Sequence, residues 1–278
     1  MFSGRTLLIA TKHGKEAVLA PLFERSMGVR CVVPSDLNTD LLGTFTGEVE
    51  RRGDPLSVAR QKCQLALDRV QADFALASEG SFGPHPTIAF VPAGDELVLL
   101  LDRHTGREFF ARDITTETNF RAAWISRRAE LESFLSDVKF PSHAVIMRPS
   151  KDSAEGIIKD ILSFPSAWET YERLSAEAGG VWVETDMRAM HNPTRMKSIE
   201  RAGQKLVDKI LSACPSCQAP GFSVTAAHPG LPCAHCGLPT RSTRAFERIC
   251  EVCGFSDEIP FPHGKHEEDP MYCDFCNP

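Results

Sequence analysis

Four Cys-x-x-Cys pairs occupy the last quarter of the chain: Cys214 and Cys217, Cys233 and Cys236, Cys250 and Cys253, Cys273 and Cys276. Two thiolates three positions apart can grip one tetrahedral metal ion from a tight knuckle, and two knuckles complete its shell. Fifteen residues separate the first pair from the second and nineteen the third from the fourth, both zinc-ribbon spacings. The pattern predicts two structural Zn²⁺ sites, closed to catalysis because four thiolates leave no open position. Sequential pairing, first with second and third with fourth, encloses the shorter loops and is the expected arrangement. An interleaved one, first with fourth and second with third, stays open. The glycines of CAHCG and CEVCG suit a turn that lets backbone amides approach the sulfurs. His228, His235, His263 and His266 are spare, and read as loop or surface residues.

A second kind of chemistry begins at Lys62. Between Pro55 and Val70 the apolar residues Ala59, Cys63, Ala66 and Val70 recur at helical spacing. Lys62 falls inside that apolar arc, between Val58 and Ala59. It is either a lysine snorkelling at the edge of the stripe or one aimed into a pocket that holds anions. Two further features favour anions. In ATKHGK, residues 10–15, a strand ends in a turn that opens a helix at Lys15. A helix N-terminus is a poor place for an ammonium group unless something negative binds there. In ASEGSFG, residues 77–83, a strand delivers Glu79 to a loop of small residues that includes Ser78, Gly80 and Ser81. A carboxylate so placed can offer an oxygen ligand to Mg²⁺.

The elements that must carry these residues alternate. Strands are expected at TLLIAT, RCVVPSD, FALASEG, TIAFVP, ELVLLLD, REFFARDI, HAVIMRP and VWVETD. Helices are expected from Lys15 to Ser26, from Pro55 to Val70, over 118–138, over 153–178 and from Thr194 to Ser212, the last opened by Asn192 and Pro193. The fold class is α/β, with a mixed central sheet flanked by helices and an antiparallel stretch near 86–112. This domain spans 1–211. A cysteine-rich zinc-binding module spans 212–278, where Pro, Gly, Cys and His replace periodic apolar residues. Cys31 and Cys63 read as core residues.

The totals limit what the protein can do. The 278 residues carry a net charge of −6, which argues against a general polyanion binder. From Ser212 onward eight acidic residues face four basic ones, the wrong balance for nucleic acid. A protein partner suits the zinc module better. No apolar run approaches a membrane span, the start lacks the pattern of a signal peptide, and the expected compartment is the cytoplasm.

Taken in order, Thr11 and Lys15 after the first strand, Glu50 twelve positions before Lys62, the string QKCQ at 61–64, and Glu79 at the end of the next strand form a set. The set resembles the superfamily of inosine/xanthosine triphosphate pyrophosphatases, which cleave non-standard nucleoside triphosphates to monophosphates. The resemblance is carried by residues 5–115 and is looser beyond. It implies that Glu50 and Glu79 hold Mg²⁺, that Lys15 and Lys62 clamp the phosphates, and that Thr11, Gly80 and Ser81 line the nucleotide. Asp54 and Asp73 are alternative carboxylates. The first turn, TKHGK, lacks the family's Asn and is one residue short, and its Ser-His-Arg near the C-terminus is absent. His191 and Arg195 of HNPTR stand in that place at different spacing. The superfamily is often dimeric, so a homodimer is expected. The expected function is a metal-dependent nucleotide pyrophosphatase with a zinc tail. The alternative is a catalytically silent nucleotide-binding protein whose zinc module recruits another protein.

Overall fold

The computed structural model describes residues 2–35, 37, 53–153 and 155–278. They form an α/β protein that divides into two units, Met1–Val207 and Asp208–Pro278.

The first unit opens with β1 (Thr6–Ala10), α1 (Glu16–Met27), β2 (Arg30–Val32), α2 (Pro55–Arg69), β3 (Phe74–Pro84), β4 (Pro92–Asp102) and β5 (Glu108–Thr115). These strands make one mixed sheet in the order β2-β1-β3-β4-β5. β1 runs parallel to both β2 and β3, and β4 and β5 follow antiparallel. The apolar stripe of α2, with Ala59, Cys63, Ala66 and Leu67, packs on Ala75, Ala77, Leu97 and Leu99. The side chains of Glu96, Val98 and Leu100 alternate onto the opposite face.

The chain continues through β6 (Ala122–Ile125), α3 (Arg128–Asp137), β7 (Val145–Arg148), β8 (Ile158–Ile161), α4 (Phe164–Ala178), β9 (Val181–Thr185) and α5 (Pro193–Leu211). A four-stranded sheet, β6-β9-β7-β8, results. Leu131, Leu135, Tyr171 and Leu174 from α3 and α4 share a core with Val145, Met147, Val181 and Val183.

Three expectations are corrected here. Residues 118–138 are a strand followed by a helix, because Ala122–Ile125 pairs with Val181–Glu184 and the helix starts only where Glu130 accepts hydrogen bonds from the Ser126 and Arg127 N–H groups. Residues 153–178 likewise hold β8 before α4. Pro165 lies in the first turn of α4 behind the Ser163 cap, so it starts that helix and does not interrupt it. TIAFVP connects β3 to β4 without being a strand of its own, and Phe90 there is 90% exposed.

The second unit holds β10 (Val224–Pro229), β11 (Thr243–Ile249) and β12 (Ser256–Pro260), an antiparallel sheet in that order. Among the described residues no helix is long and apolar enough to cross a membrane.

Candidate functional site

The order of the parallel strands creates a particular place. β1 leads through α1 to β2 on one side, while its other neighbour β3 leads to β4 on the far side, so the connections from β1 and β3 leave in opposite directions. The crevice beyond the carboxyl ends of such strands is where open α/β sheets bind ligands. Thr11 and Lys15 follow β1, whose pairing with β3 ends at Ala10 and Ala77. Glu79, Gly80 and Ser81 lie just beyond that point but within β3, which runs on to Pro84 and pairs with β4. The expected strand end at Glu79 and the loop after it are thus corrected to mid-strand positions.

Lys15 is buried, and its Nζ donates to the Ser78 carbonyl and to Ser78 Oγ, both at 2.9 Å. Burial pulls its pKa from 10.5 to about 7, helped by the positive charge of Arg195 and opposed by Glu96 and Glu79. Lys62 does not snorkel. Its ammonium pairs with the Glu79 carboxylate, with 12% of the lysine side chain and 4% of the glutamate side chain exposed. The lysine inside the apolar arc of α2 is thus accounted for by a buried partner on β3.

A second pair lies beside the first. Arg195 Nε donates to Glu96 Oε1 at 2.6 Å and Nη2 to Oε2 at 3.3 Å, with both side chains fully buried. Arg195 also donates to the Met187 carbonyl and stacks over the Phe82 ring, 5.2 Å from its centre. Its backbone N–H caps onto Asn192 Oδ1 at 2.9 Å, which fixes the start of α5. Gly80 leaves the room this pair needs: a Cβ there would lie 2.4 Å from Glu96 Oε1 and 2.6 Å from Arg195 Nη2. With Lys15 charged, three cations face two carboxylates among the described residues of this cluster, an excess of one positive charge.

The other expected residues scatter. His191 bonds Asp160 at 2.9 Å and joins Arg188 and Asp186 in a separate network. Asp160, Asp186 and His191 lie close enough to share a cation, but the Arg188 guanidinium already bridges the two carboxylates. Thr11 Oγ1 accepts from the His13 N–H in the first turn, and Ser81 faces Asp95 across the β3–β4 ladder. Asp54 caps α2 by accepting from Leu56 and Ser57. Asp73 ties down Thr6, Arg5 and His104. Glu50 lies outside the described residues. Glu96 was not anticipated, although its position in ELVLLLD marks it. Two residues before Val98 on a strand, it must share that residue's buried face.

The cysteines assemble into two four-sulfur groups: Cys214, Cys217, Cys250 and Cys253, and Cys233, Cys236, Cys273 and Cys276. The first knuckle therefore pairs with the third and the second with the fourth, which corrects both the sequential arrangement and the interleaved one considered above. The reason is the sheet. Each of β10, β11 and β12 carries the chain from one end of the unit to the other, so successive knuckles fall at alternate ends. Sulfur separations across the groups are 3.7 and 3.6 Å in the first, 3.9 and 3.7 Å in the second. A tetrahedron with Zn–S bonds of about 2.3 Å has edges of about 3.8 Å, whereas a disulfide would be about 2.05 Å. The geometry is that of two tetrahedral metal sites.

All four knuckles share one turn. The residue after the second cysteine donates its N–H to the carbonyl of the first, at 2.9 Å in Gln218, Gly237, Gly254 and Asn277. Gly237 and Gly254 adopt the left-handed φ values of 71° and 73° that this turn favours, and Gln218 adopts 61°. A backbone hydrogen bond from Cys236 draws the Cys233 thiol down to about 7, and one from Cys253 draws Cys250 to about 6. In the same groups Cys217, despite a backbone hydrogen bond from Ala219, and Cys276 are pushed up to about 12 by the neighbouring thiols, so each group holds its negative charge unevenly. Among the described residues the four spare histidines stay out of both groups.

No curated protein matches the chain significantly. Residues 62–278 match the domain of unknown function DUF6671, a stretch that runs from Lys62 on α2 through Glu79, Glu96, Arg195 and all eight paired cysteines. The match takes in well over half of the 278 residues, and the chain belongs to the DUF6671 family.

Proposed function

We propose that the first unit binds the phosphate chain of a nucleoside triphosphate beyond the end of β1, beside Glu79 and Gly80 of β3, and hydrolyses it to a monophosphate and pyrophosphate. We further propose that the two cysteine groups hold structural Zn²⁺. The observation that carries the first reading is Lys15. A buried lysine at a helix N-terminus, beside Lys62 and Arg195, stores unfavourable electrostatics that a bound polyanion would relieve. A phosphate oxygen would compete with Glu79 for the Lys62 ammonium. Glu79, released, would then be free to accept a proton from the attacking water. Lys15 and Lys62 would neutralise charge developing on the leaving pyrophosphate. Arg195 and Glu96 hold each other and serve to position Gly80 and β3.

Mg²⁺ has no ready set of ligands among the described residues, because Glu79 is held by Lys62 and Glu96 by Arg195. That same observation favours a second reading, in which the unit holds a nucleotide without cleaving it. Turnover of a mixed pool of standard and deaminated triphosphates, with and without Mg²⁺, separates the two. The hydrolase reading requires monophosphate and pyrophosphate that vanish in Glu79→Gln. Saturable nucleotide binding without turnover, weakened at least tenfold in Lys62→Met, supports the second. No binding at all refutes both.

A further inference from the structure

The second unit has a feature that neither metal site uses. Between Asp269 and Cys276 three bulky apolar side chains stand in water: Met271 59% exposed, Tyr272 59% and Phe275 68%. All belong to the fourth knuckle or to the short helical turn Pro270–Tyr272 that leads into it. Leu238, just past the second knuckle, is also exposed, and its carbonyl accepts from the Cys233 N–H at 2.9 Å. The second metal site therefore gathers these four side chains around itself.

The backbone that carries Met271 is tied down at both of its polar groups. Asp269 Oδ1 accepts from the Met271 N–H at 2.8 Å, and Asn277 Nδ2 donates to the Met271 carbonyl at 2.9 Å. Aromatic and methionine side chains are enriched at the centres of protein interfaces. Charge specifies the occupant. Residues 208–278 contain nine acidic and five basic residues, a net of −4 out of the −6 of the whole chain. Two zinc ions in four thiolates each would lower that to about −8. Around the patch, Glu267 and Asp269 carry no ion pair among the described residues, while Asp274 pairs with an exposed Arg241. A field of this sign repels nucleic acid and acidic surfaces, and draws in cationic ones.

We propose that the face of the second metal site formed by Met271, Tyr272, Phe275 and Leu238 docks a basic segment of another protein that carries apolar anchors. This does not depend on the reading of the first unit. The test uses the full chain, loaded to two zinc ions, and three fluorescein-labelled peptides of fifteen residues. One mixes lysine with leucine and tryptophan, one has the same charge from lysine and serine, and one mixes glutamate with leucine and tryptophan. Anisotropy is expected to show saturable binding of the first alone, weakened at least tenfold by Met271→Ser/Phe275→Ser and weakened by added salt. Zinc content and far-ultraviolet circular dichroism confirm that the variant is folded, and Glu267→Gln, which touches no ligand, should weaken binding by a smaller factor. Equal binding of the lysine–serine peptide, binding unchanged in the double variant, or no binding of the first peptide would overturn the proposal. So would a patch-dependent dimer in sedimentation velocity, which would assign the face to a second copy.

Discussion

Lys15 concentrates the chemistry of the first unit in one side chain. With its pKa near 7 in the folded chain and 10.5 as the ordinary value, the unfolded chain holds a proton that the folded chain has lost between those limits. Stability must therefore rise with pH across that window, and the penalty is fully present below pH 7. Relative to Lys15→Met, the wild-type chain should gain stability from pH 7 to pH 10, on the order of a few kcal/mol. Urea unfolding midpoints at several pH values measure it, and a difference that stays flat would show that the lysine is not desolvated. Lys15 and Lys62 were legible at this scale because each offended a local rule, a cation at a helix start and a cation in an apolar arc. Glu79 was legible as a carboxylate among small residues, although β3 runs past it to Pro84. Arg195 is singled out by its place in HNPTR, but its pairing with Glu96 was not legible, since the two satisfy one another over 99 positions and no local pattern announces a partner so distant.

At the scale of elements, α5 shows how a helix start is secured twice. Asn192 caps it from within, and His143, reached from the loop before β7, accepts the Thr194 N–H at its Nε2, 3.2 Å away. That bond requires an unprotonated Nε2. Ser142 Oγ lies 3.0 Å from Nδ1 on the other side. Burial, then the charge of Lys139, lowers the His143 pKa below 6.5. Its contribution is present above pH 6.5 and is lost as the pH falls below that value, when the unfolded chain takes up the proton first. The stability of the wild-type chain relative to His143→Gln should thus fall between pH 7 and pH 5, and guanidinium melts at the two pH values would read it. Helix boundaries with a cap, such as those at Pro55 and Pro193, were legible in the sequence. β6 and β8 were not, because four-residue strands lie within the reach of neighbouring helical periodicity, and only their pairing with β9 and β7 makes them strands.

Across the whole molecule the two units rest on different physics. The first buries an apolar core on its sheets. The second has a small core, with Cys214, Cys250 and Phe222 packed together, and relies on its cysteines. The knuckles themselves were plain in the sequence, but their partners were not, because loop length was a poor guide where strand direction decides. With one strand between successive knuckles, the alternation could have been derived from three strands alone. Interlocked pairing predicts that Cys250→Ser, at the first site, also costs the second site its metal. Zinc measured per chain should fall from two to well below one, and the second unit's amides should lose hydrogen-exchange protection together. Independent loss of a single zinc would contradict this. The same interlock sets a timetable for a chain made from its N-terminus. When residue 236 has emerged, two knuckles exist but belong to different sites, and neither can close. Closure must await residue 253 for one site and residue 276 for the other. Until then the thiols present are open to the wrong metal or the wrong neighbour, so the nascent unit is most exposed to mistakes just before residue 253 emerges, when five of these thiols are present and neither site can close.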